Sequence, residues 1–397
     1  MNPSPAVCIL IENLTVPIDR RVWQEARTLR GAGYTVSIVC PTGAGFEKRY
    51  ERMEEIDVYR YRLPWEGDGP LGYLLEYGWA LAATLRLALK AYRKTRFRVL
   101  HACNPPDLFF LVGLVFKLFG VRYLFDHHDL CPELYIAKKG KKGVFYSLVR
   151  LAERGTFALA HTVISTNQSY REIALGRGGM PPERTFIVRS FPELARIRLQ
   201  PPVAALKNGK DLLVVYLGVM GAQEGLDLLL ESIEEIVTKR ERRDVHFTLI
   251  GDGTHRPFLM RRVAEKNLDG AVRFTGRIPD DQLAAYLSTA DVCVAPDSYN
   301  EMNDKSTMNK ILEYMAYGRP VVLFDLTEGR RSAGDAALYA RPDDSLDLAE
   351  KILTLLDSED LRKELGRRAR RRIETELNWE REKATLLKAY ETLLKRD

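Results

Sequence analysis

Lys310 and Glu313 are three residues apart within residues 299–325, YNEMNDKSTMNKILEYMAYGRPVVLFD. A polar loop there leads into a helix predicted over 306–317. Ser306 and Thr307 serve as N-caps, Leu312, Met315 and Ala316 as its apolar face, and Gly318 and Pro320 as its stop before the run VVLF. The first backbone N–H groups of a helix have no intrahelical partner and favour anions such as phosphate. A lysine adds a full positive charge, and a carboxylate one turn deeper accepts hydrogen bonds from vicinal hydroxyls. That combination suits a sugar nucleotide, with Ser306, Thr307, Met308 and Asn309 lining the helix start. The same pair also fits a solvated i,i+3 contact worth a few tenths of a kcal/mol.

Three strand-to-helix turns add backbone that can approach such a ligand. Gly218, Gly221 and Gly225 lie in YLGVMGAQEGLD, a shape that brings amides near a diphosphate. Asp252 lies in IGDG, which would wall a base or ribose pocket, and Arg277 and Ile278 lie in TGRIP, whose backbone can pair with a nucleobase edge. Plain turn chemistry explains the side chains of the last two equally well. In the first half, Asp126, His127, His128 and Asp129 follow the apolar run YLF. Two histidines between aspartates have metal-ligand character, but no third cluster stands at ligand spacing, so no metal is expected. A sugar-hydroxyl contact or an acid/base role for His128 is the simpler reading. Asp19 caps a helix predicted over 22–30, leaving Arg20 and Arg21 either to meet a phosphate or to line the surface.

These residues need strands to carry them. Apolar runs at 7–12, 35–40, 58–63, 99–102, 123–126, 162–165 and 185–188 alternate with helical stretches, and the pattern restarts at 212–217, 246–250, 272–275, 292–295 and 321–324. This predicts an α/β chain of two doubly wound, Rossmann-like domains. Residues 1–190 form the first and 191–379 the second, with 190–206 as linker and a C-terminal helix from about 380 packing back on the first. Ligands are then expected in a cleft between the domains, at the C-terminal ends of both sheets.

The chain has 397 residues, of which 46% are hydrophobic and 29% charged, enough for two soluble cores. Its start, MNPSPAVCILIEN, has no basic leader or cleavage site, and no apolar run approaches the roughly 20 residues of a membrane span. Five scattered cysteines without CxxC spacing suit a reducing cytoplasm. Residues 1–200 hold 29 Lys and Arg against 19 Asp and Glu, a net of +10, while the remainder nets −4. A basic first half suggests an anionic membrane surface, and residues 74–98, an apolar stripe ending in Arg86, Lys90, Arg93, Lys94, Arg96 and Arg98, either bind it or form an ordinary surface helix. Nucleic acid is not expected as a partner. The expected location is cytoplasmic, with a peripheral position on the inner membrane face left open.

Taken in order, FDHHDLCPELY, LGVMGAQEGLD, IGDG, FTGRIP with ADVCVAP, and MNKILEYMAYGRPVV resemble segments of the family 4 glycosyltransferases, retaining enzymes of the GT-B fold. The opening ENLTVPIDRRVWQEARTLRGAGYTVSIVCP resembles the bacterial members that build surface polysaccharides. The resemblance implies transfer of a sugar from a nucleotide diphosphate-sugar, a UDP-sugar in preference to a GDP-sugar, with no cofactor or metal. The acceptor it implies is a lipid-linked or polysaccharide intermediate. It also implies that Glu313 holds the donor ribose, Lys310 and the amides of Thr307, Met308 and Asn309 meet the diphosphate, and Arg277 and Ile278 meet the base. His128 would touch the donor sugar, with Asp19, Arg20, Arg21 and Asp129 toward the acceptor or a phosphate.

Three positions depart from the family pattern. Lys305 stands where a first glutamate belongs, with Asp304 one residue away as a substitute, and Val219 and Glu224 stand where Arg and Lys are usual. An epimerase-like enzyme on the same fold and a silent nucleotide-sugar-binding subunit are the competing readings. A dehydrogenase is disfavoured because no GxGxxG follows the first strand.

Overall fold

A computed structural model describes residues 5–43, 45–64 and 69–395. Residues 1–4, where the N-terminal segment read above begins, lie outside the described residues. The chain divides into two compact units, Met1–Ser190 with Glu382–Asp397, and Phe191–Arg381.

Apart from the exposed edge strand Tyr50–Met53, the strands of the first unit's sheet are apolar runs buried on both faces. In chain order the strands are β1 (Ala6–Leu10), β2 (Thr35–Pro41), β3 (Tyr50–Met53), β4 (Ile56–Tyr61), β5 (Val99–Cys103), β6 (Arg122–His127), β7 (Thr162–Ser165) and β8 (Thr185–Ile187). They lie in the order β3-β4-β2-β1-β5-β6-β7-β8, with β3 antiparallel to β4. Around the sheet run α1 (Arg20–Gly31), α2 (Gly69–Thr95), α3 (Phe110–Lys117), α4 (Cys131–Lys139), α5 (Val144–Leu159) and α6 (Gln168–Leu175).

In the second unit β9 (Leu212–Leu217), β10 (Val245–Ile250), β11 (Val272–Gly276), β12 (Val292–Ala295), β13 (Val321–Phe324) and β14 (Ala337–Ala340) form one parallel sheet ordered β11-β10-β9-β12-β13-β14. Its helices are α7 (Leu226–Glu234), α8 (Arg256–Glu265), α9 (Asp280–Thr289), α10 (Glu301–Lys305), α11 (Asn309–Ala316), α12 (Thr327–Ala333), α13 (Ser345–Asp357) and α14 (Glu359–Thr375). The boundary between the units falls inside α15 (Trp379–Leu394). Chain order reverses between β1 and β5 in one sheet and between β9 and β12 in the other, the switch points where ligands of such sheets bind.

Two expectations are corrected here. The helix predicted over 306–317 begins only at Asn309, and the polar loop before it holds a separate short helix, α10. Asn300 caps α10 by accepting the Asn303 N–H, and Ser306 Oγ donates back to Met302 O at 2.7 Å. α11 then starts after Met308, whose side chain makes no cap hydrogen bond. The N-cap position of α11 is thus Met308, and Ser306 instead closes α10. The segment 190–206 is also no loose linker: Phe191 is buried in the second unit's core, and the amides of Gln200 and Val203 donate to the hydroxyls of Ser288 and Thr289.

The apolar stripe of α2 turns inward, with Ala80, Ala88 and Ala91 buried against the first sheet. Lys94 reaches Asp57 at 2.7 Å, and Lys90 and Arg96 sit over tyrosine rings. These contacts are those of a helix packed on the sheet. No helix of the described residues is long and apolar enough to cross a membrane.

Candidate functional site

At the carboxyl edge of the second sheet, α11 is anchored over the switch point by Tyr314, whose hydroxyl accepts the Leu217 N–H at 2.7 Å and donates to Val294 O at 3.2 Å. This carries Lys310 one turn earlier onto the turn between β9 and α7. A Cβ at Gly218 would lie 3.2 Å from Lys310 Cε. The turn can pack this closely only with glycine. Gly225 has φ +68° and no space beside Pro296 O, and Gly251 has φ +130° with Gly218 O in the same position.

The Lys310 ammonium is 9% exposed and lies 2.6 Å from Asp297 Oδ1, 3.0 Å from Glu224 Oε2 and 5.0 Å from the Tyr216 ring centroid. Burial opposes its charge, but Asp297, Tyr216 and Glu224 hold its pKa above the ordinary lysine value. Burial pushes the Glu224 carboxyl up from its usual range against the pull of Lys310, with neighbouring Asp297 adding to the rise. One cation beside two carboxylates is electrically neutral when Glu224 holds a proton.

The remaining predicted donor residues are placed unevenly. Glu313 is half-buried and Asn309 exposed on α11, and Thr307 and Met308 precede it half-buried. Gly221 is buried in the glycine turn and Val219 is exposed. Asp252 is exposed in the turn after β10, where its carboxylate accepts the Gly253 N–H and its backbone carbonyl accepts the Met220 N–H. Arg277 is exposed, whereas Ile278 packs on the core. Asp304 accepts from the Thr327 N–H at 2.8 Å and hydroxyl at 3.0 Å, and Lys305 reaches Glu301 at 2.5 Å. Asp304 thus joins α10 to α12.

The first unit carries its own polar cluster at the carboxyl edge of β6. Arg21, 7% exposed, donates to both Asp126 oxygens at 2.7 and 3.3 Å, to Val188 O at 2.6 Å and to Ser190 Oγ at 3.3 Å. Burial opposes ionisation of Asp126, but Arg21 and His128 hold its carboxyl well below the usual range. Arg21 is therefore engaged inside the unit. Exposed Arg20 and the capping Asp19 remain at the edge. His128 Nε2 faces Asp126 Oδ2 at 2.5 Å and Arg21 Nε at 2.9 Å, which leaves Nδ1 as the ring nitrogen available for a ligand. Asp129 lies beside it, its carboxyl raised by burial.

The metal question also changes. Strand β5 brings His101 and Cys103 alongside Asp126, so that ligand-type atoms of the three lie within 4.8 Å of one another. The third group absent from the linear reading comes from a neighbouring strand. The set nevertheless fits hydrogen bonding better than a cation. Arg21 already occupies Asp126, His101 Nδ1 lies 2.7 Å from Tyr390 Oη, and burial holds the Cys103 thiol protonated.

Residues 211–358 match the family model described as "Glycosyl transferases group 1", and residues 18–189 match "Glycosyl transferase 4-like domain". The chain belongs to the family 4 glycosyltransferases. Among curated relatives it is 27% identical to the alpha-D-kanosaminyltransferase of Streptomyces kanamyceticus over 65% of each chain. It is 28% identical to the phosphatidyl-myo-inositol mannosyltransferase of Mycolicibacterium smegmatis over 43% of this chain and 42% of that one. Both matches span less than two thirds of the relative's length. The GT-B fold is shared with the sucrose-phosphate synthase of Thermosynechococcus elongatus, with TM-score 0.77 and 19% identity over 98% of this chain and 99% of that one. It is also shared with Anabaena HepE, solved with UDP and glucose, with TM-score 0.75 and 14% identity over 98% and 100%.

Sequence reading of this family 4 glycosyltransferase missed Asp297, Tyr216, His101 and Tyr390. Asp297 had a usable signal: it stands two residues past the predicted strand 292–295, at its carboxyl end. Tyr390 had none, since a tyrosine in a charged C-terminal helix does not point to a histidine 289 residues away.

Proposed function

We propose that the protein transfers a sugar from a nucleotide diphosphate-sugar, a UDP-sugar in preference to a GDP-sugar, to a lipid-linked or polysaccharide acceptor. The anomeric configuration is retained and no metal is required. One observation carries this reading: the Lys310 ammonium, at the switch point of the second sheet, lies against the glycine turn and at the start of α11. A leaving diphosphate gains negative charge as the glycosidic bond breaks. An ammonium and backbone amides fixed in advance stabilise that charge more in the transition state than in the ground state.

For the diphosphate to reach Lys310, it takes the place of the Glu224 carboxyl, which stands on the short turn Ala222–Glu224 and gives up little when protonated. Asp297 stays behind as the buried counter-ion. Glu313, one turn deeper on α11, holds the ribose. In the first unit His128 Nδ1 hydrogen-bonds a sugar hydroxyl, with the ring oriented by Asp126. The acceptor hydroxyl attacks on the face the diphosphate leaves, handing its proton to the departing phosphate oxygen, so no separate base is assigned.

The three-group cluster favours one other reading, a silent subunit that binds nucleotide sugars through the rest of the turn while Lys310 stays paired. Thermal-shift titration with UDP, GDP and ADP, followed by measurement of UDP release from UDP-sugars, decides between them. Stabilisation by UDP together with slow release supports transfer, stabilisation without any release supports the silent subunit, and neither response removes the donor site.

A further inference from the structure

A groove of about 610 Å³ opens at the amino edge of the second sheet, where Asp291 and Pro320 lead into β12 and β13. It adjoins residues 317–320, just past α11, whereas Lys310 stands in the first turn of that helix, about 12 Å away along its axis. The groove is thus separate from the candidate donor site. Its facing wall is α14, which comes close because residue 366 is glycine; a Cβ there would have no space beside Gly318 O.

The charges lining it are unbalanced. Six Lys and Arg stand against three carboxylates, and each carboxylate already has a cation: Asp291 has Lys207 at 2.8 Å, Glu359 has Lys363 at 2.6 Å and Glu374 has Arg370 at 2.6 Å. Arg319, Arg362, Arg367 and Arg371 are left over. Arg319 donates to Tyr317 O and Ala290 O, and Arg362 to Leu355 O and Leu356 O, so neither positive charge is met by a negative one. Arg367 and Arg371, one turn apart on α14, are exposed, and neither has an ion-pair or hydrogen-bond partner among the described residues.

Guanidinium forks match phosphate oxygens two at a time. Four of them gathered round one concavity without counter-charge repel one another, and an anion of more than one charge relieves that repulsion. The volume suits a ligand of sugar-phosphate size, and exposed Leu199 with Tyr317 adds an apolar patch for a ring face. We propose that this groove binds a small soluble ligand bearing two phosphate groups, gripped by Arg367 and Arg371 from α14, with half-buried Arg319 and Arg362 adding positive potential beneath them.

The test is calorimetric titration of inorganic pyrophosphate into the full chain at constant ionic strength, in saturating UDP so that the donor site is occupied. One pyrophosphate is expected per chain, bound at least about tenfold more tightly than inorganic phosphate because two phosphate groups engage. Arg367→Gln with Arg371→Gln should weaken it at least about tenfold, with circular dichroism unchanged and the UDP dissociation constant within about twofold, since both side chains are exposed and far from Lys310. Lys138→Gln with Lys139→Gln, which removes the same charge from an exposed site on the first unit, should leave pyrophosphate binding as it is. Four results would overturn the proposal: no pyrophosphate binding, binding that survives replacement of the arginine pair, an equal loss in the lysine pair, or a chain that ignores pyrophosphate yet sediments with phosphatidylglycerol vesicles through Arg367 and Arg371, which would assign the groove to a lipid headgroup. A chain that ignores UDP but keeps arginine-dependent pyrophosphate binding would remove the donor reading and leave this one standing.

Discussion

Lys310 Nζ lies 2.6 Å from Asp297 Oδ1, and the two side chains are 9% and 4% exposed. A buried pair of this kind is costly to break from one side, because the remaining charge stays desolvated; the usual loss is about 3–5 kcal/mol. Lys310→Met should therefore lower both the thermal midpoint and UDP binding. Adding Asp297→Asn should restore most of the stability but none of the binding. Urea unfolding and UDP titration on the single and double variants check this, and recovery of UDP binding in the double variant would show that Lys310 is not a diphosphate ligand.

Glu224 gives a pH signature. Its carboxyl is raised above the ordinary value of 4.5, so the proton is kept into a range where most glutamates have lost it. As pH rises through that raised value a negative charge appears beside Lys310 and Asp297 and repels an incoming diphosphate. UDP affinity should fall as pH rises. Glu224→Gln should bind UDP about tenfold more tightly than the natural protein at alkaline pH, equivalent to about 1.4 kcal/mol, with the difference shrinking toward acid. Calorimetric titration across the pH range reads both quantities, and parallel curves for the two proteins would count against the displaced-carboxylate picture.

Arg21 separates a structural role from a ligand role. Its guanidinium serves Asp126, Val188 O and Ser190 together, a fork that an ammonium cannot reproduce. Arg21→Lys is expected to cost about 3 kcal/mol in urea unfolding while leaving the UDP dissociation constant within about twofold. A large loss of UDP affinity without destabilisation would return Arg21 to the phosphate site.

His127 ties the first unit's stability to pH. Its ring packs among Phe125, Phe157 and Tyr170, and burial, aided by Arg177, lowers its pKa from 6.5 to about 3. A group depressed in the folded state contributes stability above the unfolded value of 6.5 that is lost as pH falls toward 3. Asp107, raised by burial to about 7, works in the opposite sense, so the natural protein's own curve does not isolate the histidine. The difference does: His127→Phe should gain roughly 1.4 kcal/mol relative to the natural protein between pH 7.5 and 5.5. Chemical denaturation at the two pH values measures it, and a constant difference refutes the assignment.

Much of the fold was legible because parallel strands buried on both faces must be apolar throughout, as in AVCIL, LLVVYL and VVLF. The strands that escaped notice sit at sheet edges: Tyr50–Met53 alternates exposed and half-buried positions, and Ala337–Ala340 is four residues long. The misplaced helix start at Ser306 has a local cause too. Serine and threonine are good caps wherever they precede a periodic run, but Ser306 Oγ is already turned back to Met302 O to end α10.

The order of strands and helices, the glycine turns and the membership of a glycosyltransferase family are written in the linear chain, since periodicity and turn chemistry act between neighbours a few residues apart. Which charge meets which is not. Lys310 is paired with Asp297 and hydrogen-bonded to Glu224, 13 and 86 residues away, and Arg21 is paired with Asp126, 105 residues away. Coulomb attraction and desolvation depend on distance and burial in space, and only the folded sheets bring those groups together.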